Sequence, residues 1–417
     1  MKKYDEYKDS GVAWIGEVPK HWEVKQLKWL FYNLDNLREP ISADKRERTN
    51  PQYEYYGASG VIDKIDYYNV DDRVLLIGED GANLVFRNLP LIYKAEGKFW
   101  VNNHAHILKP MKNVDYGYMY YTLEAADYST FITGSAQPKL SQSNLELQTL
   151  PVPPYYEQVF IATYLDTHCA KIDNLISIQQ KRIALLQELK QSVITHAVTK
   201  GLNPNVEMKQ SGVEWIGDVP KHWEVMPLKF TGTFGNGLTY SPKDVVDNGI
   251  LVLRSSNIQN SSLSFEDNVY VSKVSRDLLV NKGDIIICSR NGSAALVGKS
   301  AFVDKELNAT FGAFMMRYIP NIEKKYGFYL FQTAIGQYKG YFSTTTINQL
   351  TKTTIDEIKV PLAMAEEQAA IASYLDHKCA TIDTSISNAQ HQIDLLQEYK
   401  QSLITEVVTG KRKVTDN

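Results

Sequence analysis

Fifteen residues are written twice in this chain. Residues 10–24 read SGVAWIGEVPKHWEV and residues 211–225 read SGVEWIGDVPKHWEV, with two differences. A second pair follows: QVFIATYLDTHCAKID from Gln158 returns as QAAIASYLDHKCATID from Gln368, and both run through LLQExKQSxIT to Thr199 and Thr409. Of these 42 aligned positions 25 are identical. The stretches between, 25–150 and 226–360, share no comparable likeness. A frame that repeats while its inserts do not must build one scaffold twice and fill it with two different sequences.

The length of 417 residues allows about two to four domains, each with its own core. No apolar run approaches the ~18 residues of a membrane span. MKKYDEYKDSG at the start lacks the apolar core of a secretory signal. Cys169, Cys288 and Cys379 are sparse and unclustered, which predicts reduced thiols, a cytoplasmic location and no zinc site. The net charge of −3 argues against a protein that grips nucleic acid unaided. The charge is uneven, however. Residues 226–360 hold 15 Lys and Arg against 11 Asp and Glu, while residues 25–150 hold 14 against 16. One insert is basic on an acidic frame, which suits a chain that meets DNA together with a basic partner.

The second repeat has helical spacing. Apolar residues recur at Ile161, Leu165, Ile172, Ile176, Ile183, Leu186, Val193 and Ala197, and again at Ile371, Leu375, Ile382, Ile386, Ile393, Leu396, Leu403 and Val407. Pro151 precedes the first helix and Pro361 opens the second. About 40 residues at 1.5 Å rise make a rod of roughly 60 Å. Two rods with matching stripes can bury each other, each Ile or Leu contributing roughly 1.5–3 kcal/mol. The predicted pairing residues are Ile172, Ile176, Ile183, Leu186 and Val193 against Ile382, Ile386, Ile393, Leu396 and Leu403. The competing arrangement is two separate helices, each packed on its own insert. The repeated WIGxVPKHWEV carries Trp14, Ile15, Val18 and Trp22 around Pro19, and reads as a packing clip or as a docking surface.

Both inserts read as mixed α/β. Strands are expected at 73–78, 90–95 and 98–108 with a helix at 116–127, and at 249–258, 269–274 and 283–289 with a helix at 326–340. The exit loops align as GSAQPKLSQ (134–142) and TTTINQLTK (344–352). The expected domains are 1–150, a lobe with its clip; 151–200, a central helix; 201–360, a second lobe with its clip; and 361–417, a distal helix. Several loops hold side chains that read bases or phosphates: Arg grips guanine and Asn or Gln grips adenine. The candidates in the first insert are Arg38, Arg46, Arg48, Tyr56, Ser59, Asn83, Asn102, Asn103, His104, His106, Gln137 and Lys139. In the second they are Arg254, Ser255, Asn257, Arg290, Asn291, Ser293 and Thr345.

No catalytic or metal-binding constellation emerges. Pro153-Pro154-Tyr155 is preceded by Val152, which cannot accept from an exocyclic amine. Phe234-Gly235-Asn236-Gly237 is a fragment of a cofactor loop without its strand–helix context, and no GxxxxGK[ST] phosphate loop exists. Glu357-Ile358-Lys359 lacks the remote acid of a nuclease, and His104-x-His106 lacks a third ligand.

The repeated WIGxVPKHWEVxxLK, together with YYGASGVID (55–63), LLIGEDGANL (75–84), WVNNHAHIL (100–108) and EQxxIAxYLDxxCAxID, resembles the specificity subunits of type I restriction–modification systems. The likeness covers nearly the whole chain. It implies two α/β (α+β) target-recognition domains in tandem and in pseudo-twofold arrangement, separated by two long helices forming an antiparallel coiled coil. It implies a non-catalytic subunit whose two lobes read the halves of a bipartite, asymmetric double-stranded DNA site. The helices would set the spacer and dock two modification subunits that carry S-adenosylmethionine and methylate adenine. Two restriction subunits would bring ATP and Mg2+. The chain itself would bind no cofactor, metal or membrane. The alternative from the residues alone is a coiled-coil adaptor with two protein-binding domains and no DNA reading.

Overall fold

A computed structural model describes residues 2–338 and 348–414 of the chain. The chain divides into two units, Met1–Gln180 with Gln390–Asn417, and Lys181–Ala389. Each unit takes one lobe and a length of each long helix.

The twice-written segment makes one structure twice. Tyr7–Asp9 pairs antiparallel with Glu17–Pro19, and Met208–Gln210 with Asp218–Pro220 in the same register. Trp22 and Trp223 are fully buried, and a buried indole N–H needs an acceptor. Trp22 Nε1 donates to Glu157 Oε2 at 3.0 Å, and Trp223 Nε1 to Glu367 Oε2 at 2.8 Å. His21 and His222 bring Nε2 to the same carboxylates at 2.7 and 3.0 Å. The KHW of the clip and the glutamate at each helix start therefore recur together because they bind each other. Packing is the role these side chains perform. The next residue works alike: Gln158 Nε2 donates to the Pro153 carbonyl and its Oε1 accepts from Asp115 N–H, both at 2.8 Å. Gln368 does the same with the Ala363 carbonyl and Glu323 N–H, at 2.8 and 3.0 Å.

Glu23–Gln26 pairs with Thr149–Val152, and Glu224–Pro227 with Lys359–Leu362, so the entrance and exit of each lobe are stitched together. Pro151 and Pro361 lie in these two-stranded ladders, opposite Val24 and Val225. Pro361 therefore does not open the distal helix. An edge strand tolerates the missing N–H, and the helices begin further on, at Tyr155 and Ala365.

In the first lobe six strands lie in the order Phe31–Asn33, Ala105–Pro110, Val70–Gly78, Ile92–Val101, Tyr53–Gly57, Gly60–Ile65. The second lobe repeats the first four as Gly232–Asn236, Met315–Pro320, Ile285–Cys288 and Ser300–Phe302. Leu75 faces Leu108, and Ile285 faces Tyr318; each counterpart stands 210 positions later, the offset that separates Gln158 from Gln368. In both lobes a further strand runs parallel to the next: Tyr55 and Tyr56 beside Trp100 and Val101, and Ile250–Leu253 beside Ala309–Phe311. Ile92–Val101 is continuous and holds one sheet together. Its counterpart is broken into Ser300–Phe302 and Ala309–Phe311 around the charged run 304–306, so the second lobe has two four-stranded sheets. The stretch 249–258, expected as one strand, leaves the sheet after Leu253 and turns at Ser255–Asn257.

The helices Tyr116–Ala125 and Lys324–Tyr338 are held alike. Asp115 Oδ1 and Glu323 Oε2 accept the N–H of Tyr118 and Tyr326. The hydroxyls of Tyr118 and Tyr326 donate to the carbonyls of Pro151 and Pro361 at 3.0 and 3.2 Å. Tyr121 and Tyr329 donate to Asp166 and Asp376, both at 2.7 Å. Tyr118 and Tyr326 are thus counterparts at an offset of 208, two short of the frame's 210.

The long helices, Tyr155–Lys200 and Ala365–Val408, pair within each unit. In the first, Ile161, Leu165, Cys169 and Ile172 share a core with Leu403, Ile404 and Val407. In the second, Ile194, Ala197 and Val198 share one with Ile371, Ala372 and Leu375. The start of one helix meets the end of the other each time, so they run antiparallel. Lys400 Nζ reaches Asp173 at 2.7 Å in the first unit, and Lys190 Nζ reaches Asp383 at 2.7 Å in the second. Of the ten expected pairing residues, Ile172, Ile382, Ile393 and Leu403 are buried, and Ile176, Ile183, Leu186, Val193, Ile386 and Leu396 half-buried. Each helix stops at a glycine with φ +75°, Gly201 and Gly410, a conformation that glycine adopts without a Cβ penalty. No helix among the described residues is long and apolar enough to cross a membrane.

Candidate nucleic-acid interface

The central strand of each lobe, Val70–Gly78 or Ile285–Cys288, runs out of its sheet, and the exit loop crosses over it. Leu140 N–H donates to the Glu79 carbonyl and Leu350 N–H to the Ser289 carbonyl, both at 2.8 Å. Glu79 N–H donates to the His104 carbonyl at 2.9 Å, and Ser289 N–H to the Phe314 carbonyl at 3.0 Å. Asp80 thereby faces Lys139, and Arg290 faces Gln349. This rim is the same place in both scaffolds, and it collects candidates from both inserts.

In the first lobe the rim is a closed charged network. Arg38 lies against Glu79 Oε2 and 3.3 Å from Asp35 Oδ2, leaving its side chain only 17% exposed. Lys139 Nζ meets Glu79 Oε1 at 3.0 Å. His106 is fully buried, with Nδ1 2.6 Å from Asp35 Oδ2 and Nε2 2.8 Å from the Leu140 carbonyl. Burial pushes the Asp35 carboxyl up, but His106, the Ile107 N–H and Arg38 outweigh it and hold Asp35 below its ordinary value. Glu79 behaves alike: burial raises it, while Arg38 and Lys139 bring it lower. His104 is half-exposed and pairs with Asp80 at 2.7 Å. Asn102 accepts the His104 N–H at 2.8 Å and so shapes the turn that leaves Asn103 exposed. Gln137 is exposed near the tip of the exit loop.

The remaining first-lobe candidates have other occupations. Arg46 and Arg48 converge on Asp63 Oδ2 at 3.0 and 2.5 Å, and Arg46 also stacks over Tyr55. Tyr56 is buried and donates to Glu54 at 2.6 Å. Asn83 pins its own loop, bonding both the N–H and the carbonyl of Leu89. Ser59 is exposed in the hairpin turn between Tyr53–Gly57 and Gly60–Ile65.

In the second lobe the rim opens into a cleft of about 1500 Å3, walled by residues 236–240, 254–256, 289–292, 312–316 and 349–352. Gly237 passes so close to Gly312 that a Cβ would lie 2.2 Å from its carbonyl oxygen; the Phe-Gly-Asn-Gly fragment serves strand approach. Arg254, Ser255, Arg290 and Asn291, scattered in sequence, meet here. Arg254 pairs with Asp267 at 2.7 Å. Asn291 Nδ2 donates to Ser255 Oγ at 3.1 Å, and its Oδ1 accepts the N–H of exposed Ser293. Arg290 Nη2 donates to Gln349 Oε1 at 2.8 Å, with its guanidinium 5.6 Å from the Phe314 ring centre. Asn257 is buried and bonds the carbonyls of Ser264 and Asp267, a turn-holding role. Thr345 lies outside the described residues.

Asp35, Glu79, Phe314 and Gln349 join the rim although the sequence does not mark them as candidates. Acids that neutralise base-reading side chains carry no base-reading signal of their own. Gln349 was within reach, because it stands 210 positions after the candidate Lys139, the frame's own offset.

The model of the type I restriction modification DNA specificity domain matches twice, over residues 19–188 and 220–393. The MjaVIII type I restriction enzyme specificity subunit of Methanocaldococcus jannaschii is 23% identical, covering 95% of this chain and 94% of that one. A putative type I restriction enzyme specificity subunit from Haemophilus influenzae is 25% identical, covering 92% and 94%. A solved chain from work on assembly and conformational transition of the type I R-M system shares the fold at TM-score 0.68 and 13% identity, covering 94% and 98%.

Proposed function

The chain belongs to the type I restriction modification DNA specificity family, and from that premise we propose that its two lobes read the two unlike halves of one bipartite double-stranded DNA site. The observation that carries this is the rim: one backbone brace at a fixed offset, furnished with different side chains in each lobe. Different readers on a repeated frame require an asymmetric target, whereas a symmetric dimer would require a palindrome. The domains 1–150 and 201–360 are the readers. The helices, 151–200 and 361–417, set the number of unread base pairs between the halves. A helix of 46 residues spans roughly 70 Å, enough for more than one ~34 Å turn of B-DNA. The same helices dock two modification subunits, which bring S-adenosylmethionine and methylate adenine; two restriction subunits bring ATP and Mg2+. The chain contributes specificity and no catalysis.

The test is single-molecule methylation sequencing of a host expressing the chain with its partner subunits. The expected motif is bipartite and non-palindromic. Replacing residues 25–150 by another member's insert changes one half only, and an altered second half defeats the reading. Shortening both helices by seven residues changes the spacer and neither half. The purified chain alone transfers no methyl group from radiolabelled S-adenosylmethionine.

A further inference from the structure

The geometry points to Arg290 as the guanine-reading side chain of the second half-site, with Gln349 as the residue that positions it. This rests on the DNA-reading function proposed above and commits one residue of the cleft to one base.

Four of the five candidate guanidinium groups are already paired. Arg38, Arg46, Arg48 and Arg254 each sit against a carboxylate, and Arg317 is 3.5 Å from Asp284 with its Nη atoms on the carbonyls of Leu279 and Asp277. Arg290 forms no ion pair with any described residue, so its full charge remains directed at the cleft. It is not loose. Its backbone is laddered to Gln349, its Nη2 donates to Gln349 Oε1, and its plane lies near Phe314, which is 59% exposed. A guanidinium held at one corner by a neutral amide keeps its remaining donors in a fixed fork. That fork fits the O6 and N7 acceptors of guanine, the commonest specific contact in the major groove. A carboxylate at position 349 would neutralise the fork, and a lysine at position 290 would keep the charge without the fork. The cleft, about 1500 Å3 and flanked by Ser255 and Asn291, admits a base edge beside them. The first lobe cannot use this device, since Asp80 and Lys139 occupy the two positions.

The experiment expresses full-length Arg290→Ala, Arg290→Lys and Gln349→Leu variants with the partner subunits and sequences the methylated motif. Arg290→Ala and Arg290→Lys relax one guanine position in one half-site, with discrimination falling about ten- to a hundredfold, while the other half is unchanged. Gln349→Leu relaxes the same position more weakly. A motif unchanged in Arg290→Lys overturns the assignment. So does uniform weakening across sequences with a shallower salt dependence, the mark of a phosphate contact. If Arg290→Ala fails to fold, Arg290→Lys still decides. A wild-type chain that yields no bipartite motif defeats the DNA-reading function itself, a result separate from any Arg290 outcome.

Discussion

The two lobes share a scaffold and differ at its rim. In the first, Arg38, Lys139 and His106 are consumed by Asp35 and Glu79, and the network is closed. In the second, the counterparts Ser289, Arg290, Phe314 and Gln349 carry no carboxylate, and the space is an open cleft. Duplication thus preserved the contacts that hold a lobe together and left free those that face outward. A residue type says little about function here until its neutralising partner is known: five arginines looked alike as candidates, and four are paired with acids.

Trp22→Ala and Trp223→Ala each lose about 3–5 kcal/mol of stability, read by denaturant unfolding, and similar losses in the two variants express the sameness of the frame. Asp35→Ala costs about 3 kcal/mol because it strands buried His106, whereas Asn236→Ala, exposed beside Met316, the counterpart of His106, stays within about 0.5 kcal/mol. Hydrogen exchange resolved by lobe separates the two.

The same network has a pH signature. Asp35 and Glu79 titrate below their ordinary 3.8 and 4.5 when folded. Their stabilisation is complete above those values and is lost as pH falls through the lower folded-state values. Acid unfolding followed by exchange therefore loosens the first lobe's rim, and Asp35→Asn removes part of that acid sensitivity. A second-lobe rim that loosened in step would break the contrast.

Smaller effects probe the helices. Leu403→Ala, at a buried site, costs about 2–4 kcal/mol, while Val193→Ala, its half-buried counterpart, costs about 1 kcal/mol. Lys400→Ala and Lys190→Ala break exposed cross-helix pairs and each cost about 0.2–1 kcal/mol. Thermal unfolding with and without salt distinguishes these from the packing variants.

The frame was legible for a specific reason. When a segment is duplicated, both partners of a contact are duplicated, so Trp22 with Glu157 and Trp223 with Glu367 leave a paired trace in the sequence. The helical stripe was legible because its period is local. The inserts show their strands roughly and their boundaries poorly: Ile92–Val101 is one strand where the sequence suggests two, and the strand expected over 249–258 ends at Leu253. A turn such as Ser255–Asn257 has no periodic signature, since the buried Asn257 side chain closes it.

The amino-acid order by itself determined a repeated frame, two long amphipathic helices and two mixed α/β fillings, because each is written in neighbouring residues or in a copied segment. Tertiary structure alone decided which polar residues are spent and which are available. Arg38 meets Glu79 across 41 positions and Arg290 meets Gln349 across 59. Whether an arginine faces a carboxylate or an amide is settled only when the sheet brings distant loops to one rim.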